Sequence, residues 1–203
     1  MNRYGLFYKF KTIGDVLLIV FKPLEIPDEV IKNDNVVILK KAGEIIGINI
    51  FDISKTMKIK ANGYIPLIDD KVLSIINHIL ENHGVEPLEK LDNSGFKVAQ
   101  IVDIEEHPES DHLHICKVDV GHNDYLEIVC GAFNARKDLK CVCALPFTFM
   151  PNGRQIIPGK LLGIESYGML CSGRELALEG YENKRGLLEL DESYKVGSDF
   201  FSY

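Results

Sequence analysis

Apolar positions in the first half of the chain come in short runs separated by turn residues. Residues 5–10 and 16–21 are strand-length runs around Gly14-Asp15, and residues 36–40 with 44–50 predict a hairpin about Ala42-Gly43. The period then changes. In "DDKVLSIINHILENHG", Val72, Ile75, Ile76, Ile79 and Leu80 recur at the spacing of one helical face. Asp69 and Asp70 suit the start of that helix and Gly84 suits its stop. These elements predict a small α+β domain. Its sequence holds neither a phosphate-cradling glycine loop nor a metal-ligand spacing.

A polar stretch, "ENHGVEPLEKLDNSG", carries Pro87, Asn93, Ser94 and Gly95 and places a boundary within residues 91–95. The division is an α+β domain over 1–92 and a second domain over 93–203. Beyond the boundary the runs shorten. Strands are expected over residues 96–104, 114–120 and 125–130, the last two flanking the loop "GHND", and over 139–145. Pro151-Asn152-Gly153 is a turn before residues 156–157; runs at 161–164 and 169–171 close the series, with a short helix at 175–178. Many short strands with few helices predict a small all-β barrel or sandwich. A five-stranded Greek-key barrel of the OB type is the natural candidate, and such barrels commonly bind oligonucleotides.

The chain has 203 residues, 46% apolar and 26% charged, which allows one large or two small domains with buried cores. No run approaches the ~18 apolar residues of a membrane span. The run at 16–21 is not followed by a small-residue cleavage site, so the expectation is a cytoplasmic protein away from membranes. Five cysteines (Cys116, Cys130, Cys141, Cys143 and Cys171) all lie in the second half among apolar neighbours. That setting suits buried reduced thiols better than a disulfide framework.

The formal charge is −7, which argues against indiscriminate nucleic-acid binding. Its distribution is uneven. Residues 96–203 carry 11 Lys/Arg against 17 Asp/Glu, yet residues 136–174 hold six cations (Arg136, Lys137, Lys140, Arg154, Lys160, Arg174) against Asp138 and Glu165. A polarised surface of this kind steers an anion to one face; the alternative is cations scattered over a solvated surface.

Candidate chemistry is sparse. In "HPESDHLHIC", His112, His114 and Cys116 alternate and would share a strand face, with Cys141 and Cys143 as further thiolates for zinc. The spacings match no standard zinc pattern and the Cys-x-x-Cys knuckle is missing. A turn at His107-Pro108, local hydrogen bonds to Asp111 and a core role for Cys116 account for the stretch better, so no metal and no cofactor is expected. No Gly-x-Ser-x-Gly elbow occurs, and Cys141 and Cys143 lie in apolar "CVCALPF", a poor setting for a nucleophile. Glu105, Glu106 and Glu109 read as a solvated loop. In "VCGAFNAR", by contrast, Gly131-Ala132 permit close approach, Phe133 offers a stacking face, Asn134 both donates and accepts, and Arg136 can grip a phosphate. An ordinary strand exit with a surface arginine is the competing account. In "ESYGMLCSGREL", Ser166 supplies a hydroxyl beside Gly168, and Met169 a soft surface for a flat ring; a bulge at a barrel corner explains the glycines equally well.

Three blocks, "HPESDHLHICKVDVG", "EIVCGAFNAR" and "GKLLGIESYGMLCSGREL", follow one another in an order and spacing that resemble the tRNA-binding OB domain. That domain occurs in the β chain of bacterial phenylalanyl-tRNA synthetase, in some methionyl-tRNA synthetases and in the endothelial monocyte-activating polypeptide. The resemblance spans about residues 96–200. Together with the first half and the length, the chain is similar to the free-standing YtpR-type tRNA-binding proteins, although the motifs of residues 1–92 are less distinctive. The resemblance implies a non-catalytic protein that binds structured tRNA. Ser166 and Met169 match the family's Ser-x-x-Met signature, Asn134 its Cys/Ser-Gly-Ala-x-Asn block, and Lys160 the basic position before Leu-x-Gly-x-x-Ser. Charge reasoning adds Arg136, Lys137, Arg154 and Arg174. Barrels of this family can pair, so a homodimer is a further implication. The acidic balance implies modest affinity or a protein partner, a synthetase or ribosomal component, and keeps an adaptor role in play beside RNA binding. An enzyme acting on aminoacyl-tRNA is the third reading.

Overall fold

Alternating apolar residues build the first sheet. In the computed structural model, which describes residues 3–202, the chain divides into two units, Met1–Asp92 and Asn93–Tyr203. The first contains β1 (Gly5–Tyr8), a single helical turn α1 (Phe10–Ile13), β2 (Val16–Val20), β3 (Glu29–Asn33), β4 (Val36–Lys41), β5 (Glu44–Phe51), β6 (Gly63–Ile65) and α2 (Asp70–Asn82). The strands are ordered β3-β4-β5-β2-β1-β6, with every neighbouring pair antiparallel. Leu6, Leu17, Ile19, Ile48 and Ile50 form a core with Leu73, Ile76 and Leu80 of α2.

The hairpin at Ala42-Gly43 and the helix after Asp69 stand where the pattern places them. Asp69 caps α2 by accepting the Val72 N–H at 2.8 Å. The buried stripe is rotated from the expected one: Leu73 is buried with Ile76 and Leu80, while Val72, Ile75 and Ile79 flank it half-covered. Residue 10 does not extend β1, because the Thr12 and Ile13 N–H groups turn back to the Lys9 carbonyl. Two strands have no counterpart in the reading of the sequence. β3 is an exposed edge with polar ends and β6 has only three residues, so neither carries a period-2 signal.

The second unit is a curled sheet. Its strands are β7 (Phe96–Glu106), β8 (His114–Asp119), β9 (Tyr125–Cys130), β10 (Lys140–Ala144) and, after the hairpin β11 (Gly159–Leu161) and β12 (Ile164–Ser166), β13 (Met169–Cys171). The sheet order is β13-β10-β7-β8-β9. A register shift between Ile101 and Asp103 of β7 bends the sheet. At the far side Tyr167 donates its N–H to the Glu127 carbonyl of β9 at 2.8 Å. The result is a curled half-barrel around Ala99, Ile101, Cys116, Val118, Ile128, Cys141 and Leu170. All five cysteines are free and buried. Burial pushes the Cys143 thiol up to about 12, which removes nucleophilic character.

Several local expectations change in this unit. The run at 161–164 is not one strand: Leu162 and Gly163 both take positive φ, 46° and 81°, and make the tight turn of the β11–β12 hairpin. Residues 175–178 form one turn instead of a helix. Ser172 and Glu175 cap it reciprocally, with Ser172 N–H to Glu175 Oε2 at 2.8 Å and Glu175 N–H to Ser172 Oγ at 3.2 Å, and Ala177 then leaves the helical region at φ 54°. Residues 156–157 lie beside a lone Phe149–Gln155 bridge. Glu105 and Glu106, expected on a loop, end β7. At the following turn Ser110 Oγ, where Asp111 was expected, accepts the His112 N–H at 3.3 Å. Among the described residues no helix is long and apolar enough to cross a membrane.

Replacing the cap, Asp69→Ala, should cost about 1 kcal/mol of stability. Urea unfolding followed by far-UV circular dichroism should show the earlier midpoint; an unchanged midpoint would mean the cap bond is not formed in solution.

Candidate nucleic-acid interface

The short hairpin and β13 place the Ser-x-x-Met stretch along the edge of β9. Ser166 ends β12 and is half-buried, its Oγ accepting the Val129 N–H of β9 at 3.1 Å. Gly168 follows at φ +131°, where a Cβ would stand 2.9 Å from the Ala144 carbonyl and 3.3 Å from Ile128 Cδ1. Only a residue without a side chain lets the chain pass there. Met169 is then set, half-buried, opposite Ala144 on β10.

Met169 lines a cleft of about 560 Å³ together with Cys130, Gly131, Phe133, Arg174, Lys184 and Arg185. Phe133 is 79% exposed, an unusual cost for a large aromatic ring beside a sheet. Arg174, Lys184 and Arg185 are exposed, and none forms an ion pair among the described residues. The Lys184 ammonium sits 4.2 Å above the Tyr181 ring. The lining carboxylate, Glu175, is committed to Ser172. Three open cations, one exposed ring and one thioether around a concave surface suit an anionic ligand with flat apolar parts.

The remaining expected site residues are disposed differently. Asn134 has its whole amide engaged within the protein: Oδ1 accepts the Leu187 N–H at 2.8 Å, and Nδ2 donates to the Leu187 carbonyl at 3.1 Å and Glu189 Oε1 at 2.9 Å. Arg136 grips the same carboxylate with both arms, Nη1 to Oε1 at 2.8 Å and Nη2 to Oε2 at 2.6 Å. Hydrogen bonds from Arg136 and then Asn134 hold the Glu189 carboxyl down at about 2. Lys137 faces Asp103 at 3.8 Å. Lys160 faces Glu165 at 3.6 Å across the β11–β12 hairpin, and the Tyr167 hydroxyl also donates to Glu165. Arg154 is exposed on the 150–155 turn. The structure thus brings Met169 and Arg174 to the cleft and leaves Lys137, Arg154, Lys160 and Ser166 outside its lining. Lys184 and Arg185 were missed because they stand in "ENKRGLLEL", an acid-containing stretch; the signal was a Lys-Arg pair immediately before a turn glycine.

Comparison with known proteins adds a second line. Residues 96–199 match the family described as "Putative tRNA binding domain", and residues 25–93 match a domain described as of unknown function. Over 96% of its length and 98% of the other protein's, the chain is 36% identical to the "Putative tRNA-binding protein YtpR" of Bacillus subtilis. It is also 45% identical over 124 residues to the phenylalanine–tRNA ligase beta subunit of Methylococcus capsulatus, covering 61% of this chain and 15% of that one. A similar match, 42% identical over 132 residues, is found in the corresponding subunit of Aromatoleum aromaticum, covering 63% of this chain and 16% of that one.

The Glu189 clamp is directly measurable. A carboxyl whose folded pKa is depressed contributes stability that is present above its unfolded value, 4.5, and is lost as pH falls toward about 2. Carbon-detected NMR titration should find Glu189 ionising near 2, and Arg136→Ala should move it up toward 4.5. A Glu189 that already titrates at the ordinary value in the parent protein would dissolve the clamp.

Proposed function

Because the chain belongs to the YtpR family of tRNA-binding proteins, we propose that it binds structured tRNA, without catalysing a reaction on it, through the cleft between Met169 and the 181–187 loop. The finer architecture is part of the same reading. It comprises an α+β domain over 1–92 and, over 93–203, a five-stranded Greek-key OB barrel that presents the cleft, in a protein of the cytoplasm.

The observation that carries the proposal is the open cation set Arg174, Lys184 and Arg185 around the exposed ring of Phe133. Phosphate oxygens are the natural partners of those cations, and releasing condensed counterions would supply most of the affinity. A base freed from its stack in a bulge or loop of the tRNA would lie on Phe133, with Met169 beneath it as a polarizable contact. The net charge of −7 opposes binding elsewhere on the surface, which favours one orientation of the RNA. The adaptor reading rests on that acidic total alone and offers no account of the three unpaired cations.

Two sets of variants test the proposal against bulk tRNA in filter binding from 50 to 200 mM salt. Lys184→Glu with Arg185→Glu should weaken binding by at least about tenfold at low salt and flatten the slope of log affinity against log salt by roughly 1.5. Phe133→Ala should weaken binding about tenfold with little change in slope, as expected for a lost stack. If both variants bind like the parent, the cleft is not the RNA site. Should the purified protein retain a protein partner and no RNA, the adaptor reading replaces it.

A further inference from the structure

Two of the cations that the cleft offers, Lys184 and Arg185, come from a loop, yet that loop is not left to itself. Residues 182–186 run between two ties. On one side Tyr181 lies against Gly173, where a Cβ would come within 2.9 Å of Tyr181 Cβ, and the Lys184 N–H closes a turn onto the Tyr181 carbonyl at 3.1 Å. On the other side the Asn134 amide pairs with both polar groups of the Leu187 backbone, in the manner of a neighbouring strand. Gly186 sits at φ +86°, and a Cβ there would stand 2.7 Å from Asn134 Oδ1 and 2.9 Å from Phe133 Cε1. The turn therefore comes down onto the Asn134 amide in a way that a larger residue would forbid. Glu189 completes the arrangement by joining Asn134 to Arg136.

We infer that Asn134, Arg136 and Glu189 form a latch that holds the 182–187 loop against the cleft, so that Lys184 and Arg185 meet the tRNA backbone as a pre-positioned pair. All three latch residues are positioning residues. The inference rests on the tRNA-binding reading of the cleft and deepens it by assigning to Asn134 and Arg136 a role that involves no RNA contact. Pre-positioning matters because two long side chains on a loose loop would each lose conformational freedom on binding, at roughly 0.5–1.5 kcal/mol per side chain. A bidentate guanidinium–carboxylate pair is a directional fastener for this purpose. Since the Glu189 carboxyl stays ionised down to about 2, the latch is closed throughout the physiological pH range.

The sign of one substitution separates this from the simpler view that Arg136 contacts phosphate. Glu189→Ala removes a negative charge from an RNA-binding surface and frees Arg136. If Arg136 were a phosphate contact, affinity would rise and the salt slope would steepen by about 0.9. With the latch, affinity for bulk tRNA falls about fivefold, the slope flattens, and amide exchange in peptides covering residues 182–190 speeds up. Lys184→Ala with Arg185→Ala supplies the second arm. Adding Glu189→Ala to that pair should weaken binding no further, because the latch acts through those two cations. Arg136→Lys, which keeps the charge and loses the fork, should reproduce the weakening and the faster exchange, and it guards against misfolding of the alanine variant. Parent-like or tighter binding by Glu189→Ala or Arg136→Lys, while Lys184→Ala/Arg185→Ala binds weakly, would overturn the latch and leave the cleft standing. Parent-like binding by the Lys184→Ala/Arg185→Ala pair would remove the cleft and the latch together.

Discussion

The passage of the chain beneath the Ala144 carbonyl at Gly168 is the constraint on which the rest of the second unit depends. Two residues, Tyr167 and Gly168, join β12 to β13, and a Cβ at the second would stand 2.9 Å from that carbonyl. Because the backbone can pass, Tyr167 reaches the Glu127 carbonyl and Ser166 Oγ reaches the Val129 N–H. Without those bonds β9 would present an unpaired edge, a template for pairing with other chains. With them the sheet curls toward itself, and Met169 is carried to the rim of the cleft instead of into the core. The small residues of "ESYGMLCSGREL" are thus there for backbone approach, and the thioether is left half-buried at the cleft as a consequence of the same closure.

Charge is distributed by a similar logic. The cation excess of residues 136–174 is largely consumed by carboxylates from outside that stretch: Arg136 by Glu189, Lys137 by Asp103 and Lys140 by Glu192. Lys160 is met by Glu165 from within it. Exposed pairs of this kind contribute little to stability individually, roughly 0–1 kcal/mol each. Their effect is to cancel positive potential where it would attract RNA without orienting it. At physiological salt a field decays over about 8 Å, so the cations left open around one cleft act locally even on a chain whose total is −7. Net acidity and RNA binding are therefore compatible when the open cations are gathered at one place.

Strands with both flanks marked by turns were legible in the sequence, as was the helix after Asp69, because period and punctuation agreed there. Legibility failed where one of the two was absent. The edge strand Glu29–Asn33 sets its two apolar residues side by side and so has no alternation to read. The turn at Leu162-Gly163 needs positive φ at a leucine, which no propensity suggests. At the candidate site, Met169 and Arg174 could be read from motif and charge. Arg136 could be seen as a cation, but its partner stands 53 residues away, and pairing at that range is written in the fold alone. Asn134 is the instructive case. Its donor and acceptor are visible from residue type, yet the groups they satisfy belong to a loop 53 residues away that no motif or period links to it.

The cleft is built from two kinds of material. Its floor belongs to strands β9 and β13, held by ladder bonds and a buried core, so the position of Met169 varies little. Two of its cations, Lys184 and Arg185, stand on a loop whose own residues 182–186 bury no apolar side chain, which would be among the first segments to open. On the proposed reading, a site of this design separates two tasks: the sheet would fix a shape against which a folded RNA is matched, and the loop would deliver charge to the phosphates. Rigid charge on a rigid sheet would attract any polyanion that collided with it. Charge on a wholly loose loop would be diluted over many orientations. Fastening the loop through one asparagine and one arginine lies between these limits. On that reading, side chains rich in hydrogen-bonding capacity are spent on partners within the same chain, at the edge of the surface where such capacity would otherwise face the ligand.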